Sequence, residues 1–259
     1  MTNFFYQSSP WILPALMLIV LGLAIELPYR FRGFLSSSVT NLDPVNALQA
    51  ALFTLSAFVL GLSFSQASAR FDSRRGIVVT EANAIGTTWL RAVQLESAQS
   101  RRFRKILVDD TAAILGTYEN KTGSASYQQM VDRTNHDQDI LWRIASSALR
   151  KRGTAALSQL TLSLNDMIDI VAQQRQSFAS YVPTAIVVLT LCLVTLAALS
   201  LGLRFALQGS RPVIMSAVYV IAYVIVIEMM IDYDRPSRGF VTVSLTPMTT
   251  QLELMRHSP

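Results

Sequence analysis

The sequence predicts an all-α membrane protein in which a helical domain is inserted between the second and third of four transmembrane helices. Two observations carry this. Two charge-poor apolar stretches (11–27 and 44–69) precede a long polar segment, and two more (181–203 and 213–231) follow it. Within the polar segment, apolar residues recur at helical spacing. A helix needs about 20 mostly apolar residues to cross the hydrocarbon layer and satisfies its own backbone there, so the four stretches read as helices.

Composition agrees. Of 259 residues, 51% are hydrophobic and only 15% charged, which suits a membrane class with one modest domain outside the lipid. The division expected is 1–69 for a first hairpin (spans about 11–28 and 44–69), 70–180 for a cytosolic helical domain, 181–231 for a second hairpin and 232–259 for a cytosolic tail. The net charge of +5 comes mainly from Arg, with Lys only at positions 105, 121 and 151. These cations cluster at the membrane ends without interleaved aromatics, which points to anionic lipid or solutes rather than nucleic acid. The lone Cys192 lies inside the third stretch and excludes an intrachain disulfide. No Lys or Arg stands in 1–10 and no small-residue cleavage site follows Leu27, so the first helix reads as a retained span.

The elements follow in order. The first helix is expected to end at Pro28, with Arg30 and Arg32 at the interface. A Ser- and Asn-containing loop leads to Asp43 and Pro44, an N-cap followed by proline at the first helical position. Nothing then breaks the helix, since Phe71, Val78, Ala82, Ile85, Trp89 and Val93 continue an apolar stripe. A second amphipathic helix carries Phe103, Ile106, Leu107, Ala113 and Ile114 and is expected to stop near Gly116. After a loop at 119–126, a helix over 130–149 ends at the basic run before Gly153. Leu157, Leu160, Leu164, Met167, Val171 and Phe178 mark a helix leading into the third span, which Pro183 starts. A weak strand-like alternation is visible at 239–244. Arg70, Arg74, Arg75, Arg175, Arg235 and Arg238 flank the middle domain and tail, against Arg30, Arg32, Arg204 and Arg211 in the short loops. That six-to-four bias predicts cytoplasmic termini in an integral protein of a bacterial inner membrane.

Within the second span, Gln49, Ser56 and Ser63 recur every seven residues, with Asn46 and Arg70 near the same face. Such a stripe faces water, a cavity or a partner helix, because lipid leaves its polar groups unsatisfied. Two readings compete: packing between helices, or the lining of a pore formed by several copies. On the second reading Gln49, Phe53, Ser56, Leu60, Ser63 and Arg70 line the pore, and Phe53 and Leu60 form apolar constrictions. Glu228, Asp232, Asp234 and Arg235 at the end of the fourth span, with Arg74, Arg75 and Glu81, read as a structural ionic cluster. Asn83 beside the apolar stripe reads as a buried amide. Two carboxylates beside arginine make a poor site for a hard cation, so no metal is expected. His136 and His257 lack any metal or catalytic context, and Asp137 and Asp139 read as a solvated face. No catalytic residue or cofactor is expected, and the chain does not read as an enzyme.

Two strings go further. RFDSRR from Arg70 to Arg75, followed by EANAIGT from Glu81 to Thr87 and by Arg91, resembles the signature of the bestrophin-like family of bacterial and plant membrane proteins. DYDRP from Asp232 to Pro236, with Gly239, Phe240 and Pro247, resembles that family's second signature. The resemblance spans about residues 42–254, and EANAIGT is its specific part. It implies a distant kinship with bestrophins, homopentameric ion channels with four spans per subunit, a cytosolic helical domain and a pore lined by the second span. Small inorganic ions, anions given the basic vestibule, the lipid bilayer and further copies of the chain are then the implied partners. Bestrophin necks carry large apolar residues at i, i+4 and i+8, a register that here holds Phe53, Ala57 and Gly61. The dense acidic calcium cluster of animal bestrophins is reduced to Asp232 and Asp234. The competing expectation is a non-conducting, membrane-anchored helical bundle that senses or binds a partner.

Overall fold

A computed structural model describes residues 11–35, 42–235 and 239–258. Among them the regular elements are helical: α1 (Ile12–Arg30), α2 (Arg32–Leu35), α3 (Asp43–Arg91), a 3₁₀ turn (Ala92–Gln94), α4 (Ser97–Glu119), α5 (Ala125–Arg152), α6 (Ala155–Ala179), α7 (Thr184–Gln208), α8 (Val213–Asp234) and α9 (Thr246–His257). Four helical stretches are long and apolar enough to cross a membrane, within α1, the first half of α3, α7 and α8. Residues 239–245 form no strand.

The chain divides into two compact units, 1–70 with 181–241 and 71–180 with 242–259. In the first, Leu13, Met17 and Leu21 of α1 pack with Leu60 and Ala67 of α3, Val194 and Ala198 of α7 and Ile227 of α8. A Cβ on Gly202 would run into the backbone of Ile25, so α7 and α1 approach closely because glycine stands at their crossing. In the second unit Phe103 and Leu107 of α4, Leu141 of α5, Leu160, Leu164 and Met167 of α6 and Met248 of α9 close a fully buried core. Truncating any of these large side chains to Ala costs about 2–5 kcal/mol.

Several boundaries differ from the sequence expectation for identifiable reasons. α1 runs past Pro28 to Arg30; a proline so near the end removes one amide donor without forcing a stop. α4 continues past Gly116, which is small because the Met130 side chain lies against it. α5 starts at Ala125, where the Ser124 hydroxyl accepts the Tyr127 N–H, and stops at Gly153 in the left-handed conformation. α6 and α7 are separated by a short non-helical link, Ser180 to Pro183, because the residue before a proline is driven out of helical geometry.

Candidate functional site

The second span shows how the sequence divides its polar groups. Gln49, Ser56, Leu60 and Ser63 are buried inside the chain itself. The Ser56 hydroxyl lies 3.0 Å from the Tyr223 hydroxyl of α8, and Ser63 lies 3.3 Å from Thr190 of α7. Each serine also returns a hydrogen bond to its own helix, to the carbonyls of Phe53 and Val59. Phe53 is half-buried and stacks on Tyr219 at 5.4 Å. Arg70 is half-buried and makes no ion pair among the described residues. The expectation that the serine and glutamine stripe turns toward a pore is therefore revised. Side chains enclosed by their own subunit do not line a channel between copies of this arrangement.

The opposite face of the same span is uncovered. Ala47, Thr54, Phe58 and Ser65 recur at spacings of seven, four and seven, and all are exposed. Ala50, Ala51, Ala57 and Gly61 lie around them, and Leu48, Leu55 and Leu62 are exposed on the same side, so the surface mixes small, hydroxylated and large aliphatic groups. The exposed face of α8 is more heavily aliphatic, offering Val213, Ile214, Met215, Val218, Ile221 and Ile225. Large aliphatic side chains suit lipid; small and hydroxyl-bearing ones suit close helix contact or water.

Within the second unit, α3 presents Val78, Glu81, Ala82, Ile85, Thr88 and Trp89 inward. Asn83, one position past Ala82, is exposed, which corrects its expected burial. Glu81 is fully buried, and its Oε2 accepts a 2.6 Å hydrogen bond from the Tyr118 hydroxyl. Its other oxygen has no hydrogen-bond partner. Burial raises the Glu81 pKa to about 7, against the Tyr118 hydrogen bond and the charge of Arg175, which both lower it. Arg175, rather than Arg74 or Arg75, is thus the cation this carboxylate feels. Asp110, which the sequence reading passed over, is enclosed nearby with both oxygens unpartnered. Burial, reinforced by Asp137 and Glu81, pushes it well above the usual carboxylate range, opposed by the Gln138 amide and Arg175. Asp137 is accordingly not a simply solvated residue; burial raises it as well, while His136 and Asp139 beside it are exposed.

The expected ionic cluster takes local forms. Arg235 pairs with Glu228 at 3.3 Å, both largely buried. Asp232 accepts the backbone N–H groups of Phe240 and Val241, each at 2.9 Å from Oδ2. Asp234 accepts the Val182 N–H at 2.6 Å. Arg74 is buried and donates to the carbonyls of Ser177 and Ser180, whereas Arg75 is exposed and lines an open cleft with Asn83, Ser244 and Gln251. Among the described residues no three His, Cys, Asp or Glu are placed to hold a metal ion.

No family model matches the chain, and no curated protein is similar enough to count as a relative. Solved structures are similar over nearly its whole length. A bacterial bestrophin homologue from Klebsiella pneumoniae shares 18% identity at a TM-score of 0.66, covering 94% of this chain and 95% of that one. A leucine-to-threonine variant of the homologue from the same organism gives 18% identity and 0.68 over 97% and 100% of the two chains. A tyrosine-to-alanine variant gives 17% and 0.69 over 93% and 96%. This chain has the bestrophin fold. On that fold Glu81 and Ile85 of the EANAIGT string are interior residues and Asn83 and Thr87 exterior ones. The second signature closes the end of α8, through Asp232 and its two amide donors. Its Pro236 lies outside the described residues.

Proposed function

We propose that the chain is one subunit of an oligomeric, bestrophin-like ion channel, anion-permeable, with the second span next to the axis. The observation that carries this reading is the uncovered face of α3. Of the four candidate spans, the second is the least enclosed by its own chain. A span left so bare, with Ala47, Ala51, Thr54, Gly61 and Ser65 set among its exposed leucines, can meet other copies closely. In a ring of subunits Thr54 and Ser65 offer hydroxyls to water, and Phe58 between them supplies an apolar constriction that gates by dewetting. The bestrophin resemblance suggests a pentamer. It also suggests a cytosolic location for the helical unit, and the charge bias argues for cytoplasmic termini and a bacterial inner membrane.

Ion flux through the purified protein in liposomes tests the reading. Anion efflux that rises when Phe58→Ala widens the constriction supports it. No flux from either protein under any gating condition establishes the non-conducting anchor instead. Because Ser56 and Ser63 are satisfied internally, that alternative no longer has to explain a stripe of stranded polar groups. Orientation is tested by single cysteines at Ser124 and Ser38 in a Cys192→Ser background, where labelling from one side only would overturn it. Ser38 itself lies outside the described residues.

A further inference from the structure

Between α1 and the start of α8 an open cleft of about 370 Å³ runs along one stripe of the first span. Its walls are almost wholly apolar, with Phe205 of α7 contributing at one side. The room comes from small residues: Ala217 on α8, and Gly22 on α1, where an added Cβ would meet nothing within 4 Å. Among the larger residues around the cleft, Leu18 and Ile221 are exposed aliphatics of the kind that face lipid, while Ile25, Phe205 and Val220 are buried.

The mouth has the opposite chemistry. Glu26 and Arg211 form a 2.5 Å ion pair there, yet the Arg211 side chain remains 58% exposed. The Arg211 guanidinium lies 5.4 Å from the centre of the Tyr29 ring, and that of Arg32 lies 5.1 Å from the same ring. Arg32 also donates to the Tyr29 hydroxyl at 3.1 Å. Two guanidiniums on one ring against one carboxylate leave an excess positive charge. Tyrosine and arginine at the end of a span sit at headgroup level. Gly22 is seven residues farther into the span, about 10 Å deeper at the rise of an α-helix. A cationic, aromatic rim above an apolar trough of that depth complements one kind of molecule: a phosphate-bearing headgroup with an acyl chain beneath it.

We propose that this cleft is a binding site for an anionic phospholipid, its phosphate held by Arg32 and Arg211 and one acyl chain laid over Gly22. The site stands independently of the channel reading, since it needs only that α1 and α8 span the bilayer. A second copy of the chain is the rival occupant. The cation excess at the mouth favours lipid, since a second copy would bring more arginines and no phosphate.

Native mass spectrometry of the full chain in detergent, titrated with phosphatidylglycerol or phosphatidylcholine, tests this. Wild-type protein should retain phosphatidylglycerol in preference to phosphatidylcholine. Arg32→Gln and Arg211→Gln should each lower that preference about fivefold, the effect of one arginine at a membrane surface. Gly22→Leu should abolish retention of both lipids by filling the trough. Glu26→Gln should raise the preference for phosphatidylglycerol by freeing Arg211, a gain that a merely structural ion pair would not give. Equal retention of the two lipids by wild type overturns the proposal. So does unchanged retention in Gly22→Leu, or loss of the oligomer in that variant with lipid still bound, which would make the cleft a contact between copies. Should Gly22→Leu fail to fold, the Glu26→Gln arm decides alone: no gain overturns the site.

Discussion

The Tyr118 hydroxyl donates to Glu81 Oε2 across 2.6 Å inside the helical unit, and both groups are shielded from solvent. A carboxylate so enclosed is held by one phenol and the field of Arg175, with its second oxygen unpartnered. The pair therefore sets a pH dependence. The Glu81 pKa is raised from 4.5 to about 7 on folding, so the folded state binds more protons than the unfolded between those values. Its stabilising contribution is complete below pH 4.5 and is lost as pH rises through about 7. Asp110, also raised, acts in the same direction.

Unfolding in detergent should accordingly show a more stable protein at pH 5 than at pH 8, by roughly 3 kcal/mol for the Glu81 shift alone. Glu81→Gln should flatten most of that difference. Tyr118→Phe should cost about 1–3 kcal/mol at either pH by leaving a buried oxygen without its donor. A wild-type stability that does not change between pH 5 and pH 8 would sink this account.

Arg74 is 1% exposed, donates to the carbonyls of Ser177 and Ser180, and lies 5.9 Å from the Phe178 ring. These carbonyls sit at the end of α6, where a helix leaves its last acceptors unpaired and a cation is favoured. Arg74→Ala should cost about 1–3 kcal/mol by leaving buried carbonyls without their donor. Arg74→Lys should recover only part of this, because one ammonium does not span two carbonyls with a planar fork. Thermal melts of the three proteins give the order; a lysine variant as stable as wild type would show that charge alone suffices.

Gly239 adopts φ of +131°, and a Cβ there would strike the Asp232 carboxylate. Asp232 in turn holds the Phe240 and Val241 amides. Gly239→Ala should thus destabilise through both backbone and side chain, by more than the roughly 1 kcal/mol a left-handed alanine costs by itself. Asp232→Asn keeps one acceptor oxygen and should be the milder change. Equal melting temperatures for wild type and Gly239→Ala would rule out the turn as described.

Hydropathy alone made the four spans legible, because twenty apolar residues in a row have few other solutions, and the two signature strings matched the fold that the solved structures share. The facing of the second span was not legible. Gln49, Ser56 and Ser63 define a stripe, but a stripe of small polar groups serves equally for packing on Tyr223 and Thr190 or for water, and only the positions of α7 and α8 decide. The buried acid was missed although its signal was present. Asp110 falls in register with Phe103, Leu107 and Ile114 at spacings of four, three and four, so a carboxylate stands where the period demands a core residue. Gln138 beside Thr134 and Leu141, and Gln174 between Val171 and Phe178, break their stripes in the same way. Asn83 erred in the other direction, since adjacency to Ala82 in sequence is a 100° turn away from it on a helix.

Arg70 separates the two views of the membrane mouth. It follows the enclosed stripe of Ser56 and Ser63 but is itself half-exposed at the end of the apolar stretch. On the channel reading it therefore adds positive charge at the mouth without lining the pore, and concentrates anions by an amount that falls with salt. On the clasp reading it neutralises Asp232 or Asp234. The structure gives Asp232 two backbone amides and Asp234 the Val182 amide, while Arg70 pairs with neither. Arg70→Glu should therefore leave the oligomer intact and weaken anion preference in liposome flux, most visibly at low ionic strength. Adding Asp232→Arg should not restore anything, because it removes the acceptor that holds Phe240 and Val241. An Arg70→Glu protein that falls apart, and reassembles when arginine is placed at 232 or 234, would make the residue a clasp.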